Sequence, residues 1–169
     1  MMHDHFRMMA RYNRWANARL YDAAATMGAD YAKDAGAFFG SMHGTLSHIL
    51  VADRIWLRRL TGEGPEHRAL DERPHDDLAA LRAAREAEDE RIVAFVGELD
   101  ADALSGTFTY VPITNPEPIT QARAPVLAHV FNHQTHHRGQ AHTILTSLGH
   151  DAPALDVIYF QRAERLQGA

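Results

Sequence analysis

Four stretches of this chain place apolar residues three and four positions apart, the period of a helix that buries one face. In the first, Phe6, Met9, Asn13, Ala16, Leu20, Ala23 and Met27 form one stripe, and Gly28 offers a stop. The second, Met42, Leu46, Ile49, Asp53, Trp56 and Leu60, closes at Gly62 and Gly64. The third runs from about Asp76 to Leu99, with Leu78, Leu81, Ala84, Ile92, Phe95 and Leu99 on its apolar side. Its Ala/Arg-rich part, 79–91, reads as a solvated face of high helix propensity. The fourth runs from Pro125 to Leu148 and stops at Gly149. Its inward positions are Val126, Val130, His133, His137, Gln140 and Ile144. Four such stripes are buried best against one another. They predict an all-α four-helix bundle in a single domain, 1–169.

The connections differ in kind. Residues 61–75 hold two glycines and two prolines and read as a surface loop. Within 105–124, Thr107-Phe108-Thr109-Tyr110-Val111 has strand-forming alternation, Asn115-Pro116 makes a turn, and a second short extended stretch follows. This predicts a small hairpin between the third and fourth helices. After Pro153, residues 156–166 form a short C-terminal helix in which Leu155, Ile158 and Phe160 dock on the bundle. His3 and His5 fall in a mobile terminus.

Charge and composition narrow the function classes. The formal net charge is −5, with both signs scattered, so no basic surface for nucleic acid is indicated. No apolar run approaches the ~18 residues of a membrane span. Met1-Met2-His3-Asp4-His5 has no apolar core segment, unlike a signal peptide. The chain has no cysteine, which rules out disulfides, thiolate metal sites and a cysteine nucleophile, and fits a cytoplasmic protein. It has 12 histidines, so their placement carries the functional argument.

His133 and His137 are four residues apart in the inward stripe, one turn from each other on one face. Two imidazoles facing a core need polar partners. One metal ion satisfies both, and this spacing is that of paired histidine ligands. A third ligand from the second stretch is left open by periodicity: His48 flanks its stripe, His43 competes, and Asp53 lies within the stripe. No Glu follows His133, since Gln134 stands there, so the zinc-peptidase pattern is missing.

TLSHILVADRIW from Thr45 to Trp56 and NHQTHHRGQ from Asn132 to Gln140 resemble the second- and fourth-helix motifs of the DinB/YfiT-like family. YNRWAN from Tyr12 to Asn17 and LDVIYFQR near the end resemble two further family features, in the family's order. The resemblance implies a four-helix bundle of unusual chain order. It also implies one divalent metal ion, zinc or nickel, on His48, His133 and His137. It implies a homodimer as well, in keeping with the frequency of two-fold assemblies.

Three protein nitrogens leave a coordination position open, as in catalytic rather than structural sites. The resemblance implies a thiol-dependent transferase using a low-molecular-weight thiol on a small electrophile. A metal-dependent hydrolase and a non-catalytic metal-binding stress-response protein are the alternatives. Asp53 and His136 are candidates for proton transfer, with a structural ion pair the competing role for Asp53 and a contact with Arg138 another. His129, on the row of His133, could support a ligand. Asn13 is expected to hydrogen-bond across the core, and Trp15 and Trp56 to be core residues.

Overall fold

The computed structural model describes residues 2–113 and 115–167. Met1, Thr114, Gly168 and Ala169 of the expected single domain lie outside the described residues. The helices are α1 (Met2–Ala25), α2 (Met42–Thr61), α3 (Leu78–Glu98), α4 (Ala101–Ser105), α5 (Arg123–Ser147) and α6 (Val157–Gln167). A 3-10 turn, Gly28–Ala32, follows α1. The strands β1 (Thr107–Tyr110) and β2 (Ile119–Ala122) pair antiparallel, Thr107 opposite Ala122 and Tyr110 opposite Ile119. The expected all-α bundle, hairpin and terminal helix are therefore present. Among the described residues no helix is long and apolar enough to cross a membrane.

Local chemistry sets the helix ends. Ser41, Asp77 and Asp100 cap α2, α3 and α4 by accepting from the amides of Gly44, Ala80 and Ala103. At the end of α5, the His150 amide donates to the Leu145 carbonyl and the Gly149 amide to that of Thr146. This double closure needs a left-handed residue, and Gly149 has φ +80°. His3 and His5 lie inside the first turns of α1, not in a loose terminus, with Asp4 at the positive end of the helix.

α1 packs on α3 and α5, and α2 packs on the same two helices. Around the bundle the order is therefore α1, α3, α2, α5, which sets the consecutive helices α1 and α2 on a diagonal. α6 lies on α1, where Phe160 meets Tyr12 and Trp15. Ile158, expected to dock, is exposed, because the face of α6 that meets α1 carries Val157 and Phe160 instead. The hairpin rests on α2 and α5.

The core has two apolar layers. One holds Leu20, Met42, Leu46, Leu50, Leu81 and Leu145. The other holds Phe6, Leu57, Ile92, Val96, Leu127 and Phe131. Between them each long helix contributes polar groups at its middle. Arg85 donates to Asp53 at 2.7 Å and pairs with Asp89 at 3.1 Å. Asn17 donates to Asp89 at 3.0 Å. Arg138 donates to Asn13, to Asn17 and to Gln134, and the Gln134 amide donates to Asp53. Arg85 is 1% exposed and Arg138 2%. The 79–91 face expected to be solvated thus buries Arg85, Glu88 and Asp89. A charged side chain can face inward when opposite charges and amides meet it there, and Asn13 makes the cross-core bonds expected of it.

Arg85→Met leaves Asp53 and Asp89 buried without their cation. Denaturant unfolding should show a loss of about 3–5 kcal/mol. A loss below 1 kcal/mol would mean that the layer is not the electrostatic unit described.

Candidate metal centre

His48 sits in the part of α2 that is enclosed on every side, since each residue from Met42 to Asp53 is buried. A flank position there is still interior. His133 and His137 project from successive turns of α5 toward it. The Nε2 atom of His48 lies 3.2 Å from Nε2 of His133 and 3.2 Å from Nε2 of His137. Two nitrogens bound to one tetrahedral zinc at ~2.0–2.1 Å lie about 3.3 Å apart, so the spacing matches one shared ion.

The outer ring nitrogens fix the tautomers. Nδ1 of His48 is 2.8 Å from the Leu70 carbonyl, and Nδ1 of His137 is 2.7 Å from Oε1 of Gln140. Both acceptors are oxygens, so both Nδ1 atoms carry the hydrogen. The two Nε2 atoms then face each other with lone pairs and have no proton to share. Such a pair is repulsive until a cation lies between the rings. The donor set therefore fits a divalent metal, and the Leu70 carbonyl and Gln140 amide are the outer groups that orient ligand histidines.

Burial holds the rings neutral. It pushes His48 down to about 4, against the Leu70 hydrogen bond, and His133 down to about 3, with neighbouring histidines adding to the effect. His137 is lowered for the same reason. Neutral imidazole is the form that binds metal.

Two segments outside the histidine helices complete the site. Phe39 stacks on His48 with ring centres 3.8 Å apart and meets His137 edge-on at 5.6 Å. Its backbone passes directly over Gly44, where a Cβ would stand 2.0 Å from the Phe39 carbonyl oxygen. Only glycine allows that approach. The 61–75 loop supplies Leu70. Its turn is tied by Glu72, which accepts from His67 at 2.6 Å and from the amides of Arg68 and Ala69. The hydrogen bond from His67 and the two amides hold the Glu72 carboxyl at about 2.

Among the described residues, His48, His133 and His137 form the one group of three or more His, Cys, Asp or Glu residues able to share an ion. His43 packs against Tyr31, outside the trio. Asp53 is also outside it, its carboxylate taken by Arg85 and Gln134 in the polar layer. His136 stands exposed, edge-on to His137, and receives a hydrogen bond from Gln140 at 3.4 Å. His129 is exposed and lies 5.8 Å from the His133 ring. Trp56, expected in the core, instead lines a cleft of about 570 Å³ with Tyr110, Ile113, Ile119, His129 and His133. That cleft opens between α2, α5 and the hairpin. Leu70, Phe39 and Gln140 were not anticipated as parts of the site. Of these, only Gln140 carried a sequence signal, its place in the inward stripe.

The class defined is a four-helix bundle with three histidines beside a cleft that could hold one metal ion. The DinB family model matches residues 2–167, and the chain belongs to the DinB family. A solved structure, a DinB-like protein (YjoA) from Bacillus subtilis, is similar over 88% of this chain and 97% of that one. Its TM-score is 0.62 and its sequence identity 15%, a likeness of fold. No curated protein matches the chain.

Elemental analysis of untagged protein dialysed against trace metal should find about one divalent ion per chain, and His133→Ala/His137→Ala should hold none. An unchanged stoichiometry in that variant would sink the trio. The pH response of the metal-free protein follows from the lowered rings. An unfolded histidine takes up its proton near 6.5, whereas folded His48 does so near 4. The stability that these rings contribute is therefore complete above pH 6.5 and is lost as pH falls toward 4. Urea midpoints between pH 7 and 4.5 should show this decline, and His48→Gln/His133→Gln should flatten it.

Proposed function

We propose that the chain is a metal-dependent enzyme that transfers a low-molecular-weight thiol onto a small electrophile, with zinc or nickel on His48, His133 and His137. The observation that carries this reading is the three-nitrogen site beside an open cleft, with no fourth protein ligand among the described residues. A bound divalent ion there lowers the pKa of a thiol that reaches it, so that thiolate is available at neutral pH. The nucleophilic sulfur comes with the cosubstrate, since the chain has no cysteine.

The protein's own groups hold and orient. Leu70 and Gln140 keep the two ring tautomers, and Phe39 closes one side of His48 against water. The cleft walls, Trp56, Tyr110, Ile113 and Ile119, suit an apolar electrophile. In the transfer a sulfur–carbon bond forms while a carbon–halogen bond or an epoxide carbon–oxygen bond breaks. The thiol's proton is released or taken by the opened oxygen; of the two candidates for that proton, exposed His136 is favoured over Asp53, whose carboxylate is engaged by Arg85 and Gln134. Peptidase chemistry is disfavoured by position as well as residue type. Gln134, next to His133, points into the polar layer and is fully buried. A general base in its place would face away from the cleft. A cytoplasmic homodimer belongs to the same proposal, and light scattering tests the assembly.

The assay follows loss of a halo-aromatic or epoxide with thiol alone, with metal-loaded enzyme, and with metal-loaded His48→Ala. The expected outcome is a rate that saturates in one thiol and disappears with His48. Acceleration of ester or amide hydrolysis without thiol would replace this reading by a hydrolase. Metal binding without a response in either assay would favour the non-catalytic alternative.

A further inference from the structure

Among the described residues, Arg59 is the one Asp, Glu, Lys or Arg side chain on the cleft wall. Its guanidinium carbon lies 4.6 Å from the Trp56 ring centre and 4.7 Å from that of Tyr110. The two aromatic faces hold a half-buried cation between α2 and the hairpin. Other arginines of α2 are answered by protein groups: Arg54 lies 3.8 Å from Glu88, and Arg58 donates to the Gly64 carbonyl at 2.7 Å. Arg59 has no hydrogen bond or ion pair among the described residues. Glu66 lines the adjoining groove yet stays beyond ion-pair distance. Burial lowers the guanidinium's pKa, and the group that pulls it back is Tyr110, with no carboxylate contributing.

The cleft that Arg59 lines also contains His133. The path between them is walled by rings: Trp56 lies 5.2 Å from His129, and His129 5.8 Å from His133. Arg59 and His48 are 11 residues apart on α2, about 16 Å along its axis. Both side chains lie on one side of the helix, and an arginine leans toward the N-terminus, which shortens the gap. Aromatic faces stabilise the cation without satisfying its donors, so the planar fork remains free for a carboxylate, which it can grip with two parallel hydrogen bonds.

We propose that Arg59 is an anion-recognising subsite and that the thiol cosubstrate is an extended molecule bearing a carboxylate. The carboxylate sits on Arg59 and the sulfur reaches the histidine trio. The assignment of the sulfur end rests on the thiol-transfer reading; the carboxylate end rests on the geometry of Arg59 alone.

The test titrates zinc-loaded protein with glutathione, its diethyl ester and S-methylglutathione, with an electrophile added in a parallel assay of thiol consumption, and is read by calorimetry and by tryptophan fluorescence, to which Trp15 and Trp56 both contribute. The titration is repeated on Arg59→Gln and Arg59→Lys. Glutathione should bind wild type about tenfold or more tightly than its ester, and this preference should vanish in Arg59→Gln. Arg59→Lys should recover only part of it, since lysine lacks the fork. Zinc stoichiometry should stay the same in both variants. If Arg59 only clamps the hairpin, acid and ester weaken together in Arg59→Gln, and the proposal falls. It also falls if acid and ester bind wild type alike, or if neither binds. If S-methylglutathione binds as glutathione does and no thiol is consumed, the transferase reading fails while the subsite stands. If glutathione, with an electrophile present, is consumed with equal efficiency by wild type and Arg59→Gln, the subsite fails while the transferase reading stands.

Discussion

The buried polar layer decides how the four long helices face one another. Two arginines, Arg85 and Arg138, and two aspartates, Asp53 and Asp89, meet at mid-bundle with Asn13, Asn17 and Gln134. Each long helix supplies at least one member, and the two arginines face the two aspartates. Apolar layers above and below tolerate small rotations of a helix, because hydrophobic contact is non-directional. Hydrogen bonds to buried charges do not tolerate them, since a slipped partner leaves a desolvated ion. The layer therefore sets rotation and register where the apolar core alone would leave both loosely defined.

This matters for the metal site because α5 serves both. Gln134 and Arg138 point into the polar layer, while His133 and His137, one residue earlier in each pair, are turned by about 100° toward α2 and the cleft. Locking the first pair aims the second. On α2 the same arrangement recurs, with Asp53 in the layer and His48 about one and a half turns away at the site. The three histidines thus converge because α2 and α5 are tied elsewhere, through the hydrogen bond from Gln134 to Asp53 in the layer. Their convergence is a by-product of where the charged layer fixes α2 and α5.

The periodic stripes of the sequence were enough to place the four helices, the hairpin and the terminal helix, because a helix that must bury one face writes that need every third or fourth residue. Gly149 marks an end by its left-handed backbone, and Asp77 caps α3 through its side-chain carboxylate. The polar layer was less legible. Asn13 and Asp53 interrupt apolar stripes, but Arg85, Glu88 and Asp89 sit in a run of Ala, Arg and Glu that looks like a solvated face. Only their partners on other helices make them interior residues, and partners are not written in local spacing. The pair His133 and His137 could be read from spacing. His48 could not be chosen over His43 or Asp53 on periodicity, because half of α2 is enclosed all round. The Leu70 carbonyl is a backbone group in a loop whose residue type says nothing of its role, and Phe39 earns its place only through the contact that Gly44 permits.

The site is consequently assembled from groups of unequal rigidity. His133 and His137 ride on a helix held by the charged layer. His48 depends in addition on a loop, since its Nδ1 hydrogen goes to the Leu70 carbonyl, and that carbonyl stays in place through the turn gathered around Glu72. Leu70 also lines the cleft. One segment therefore both orients a ligand and borders the space where a substrate would lie. A ligand that presses on Leu70 acts on the His48 ring through one hydrogen bond, without needing any movement of the helices. The bundle supplies all three histidines, and the loop orients the ring of one of them through the Leu70 carbonyl.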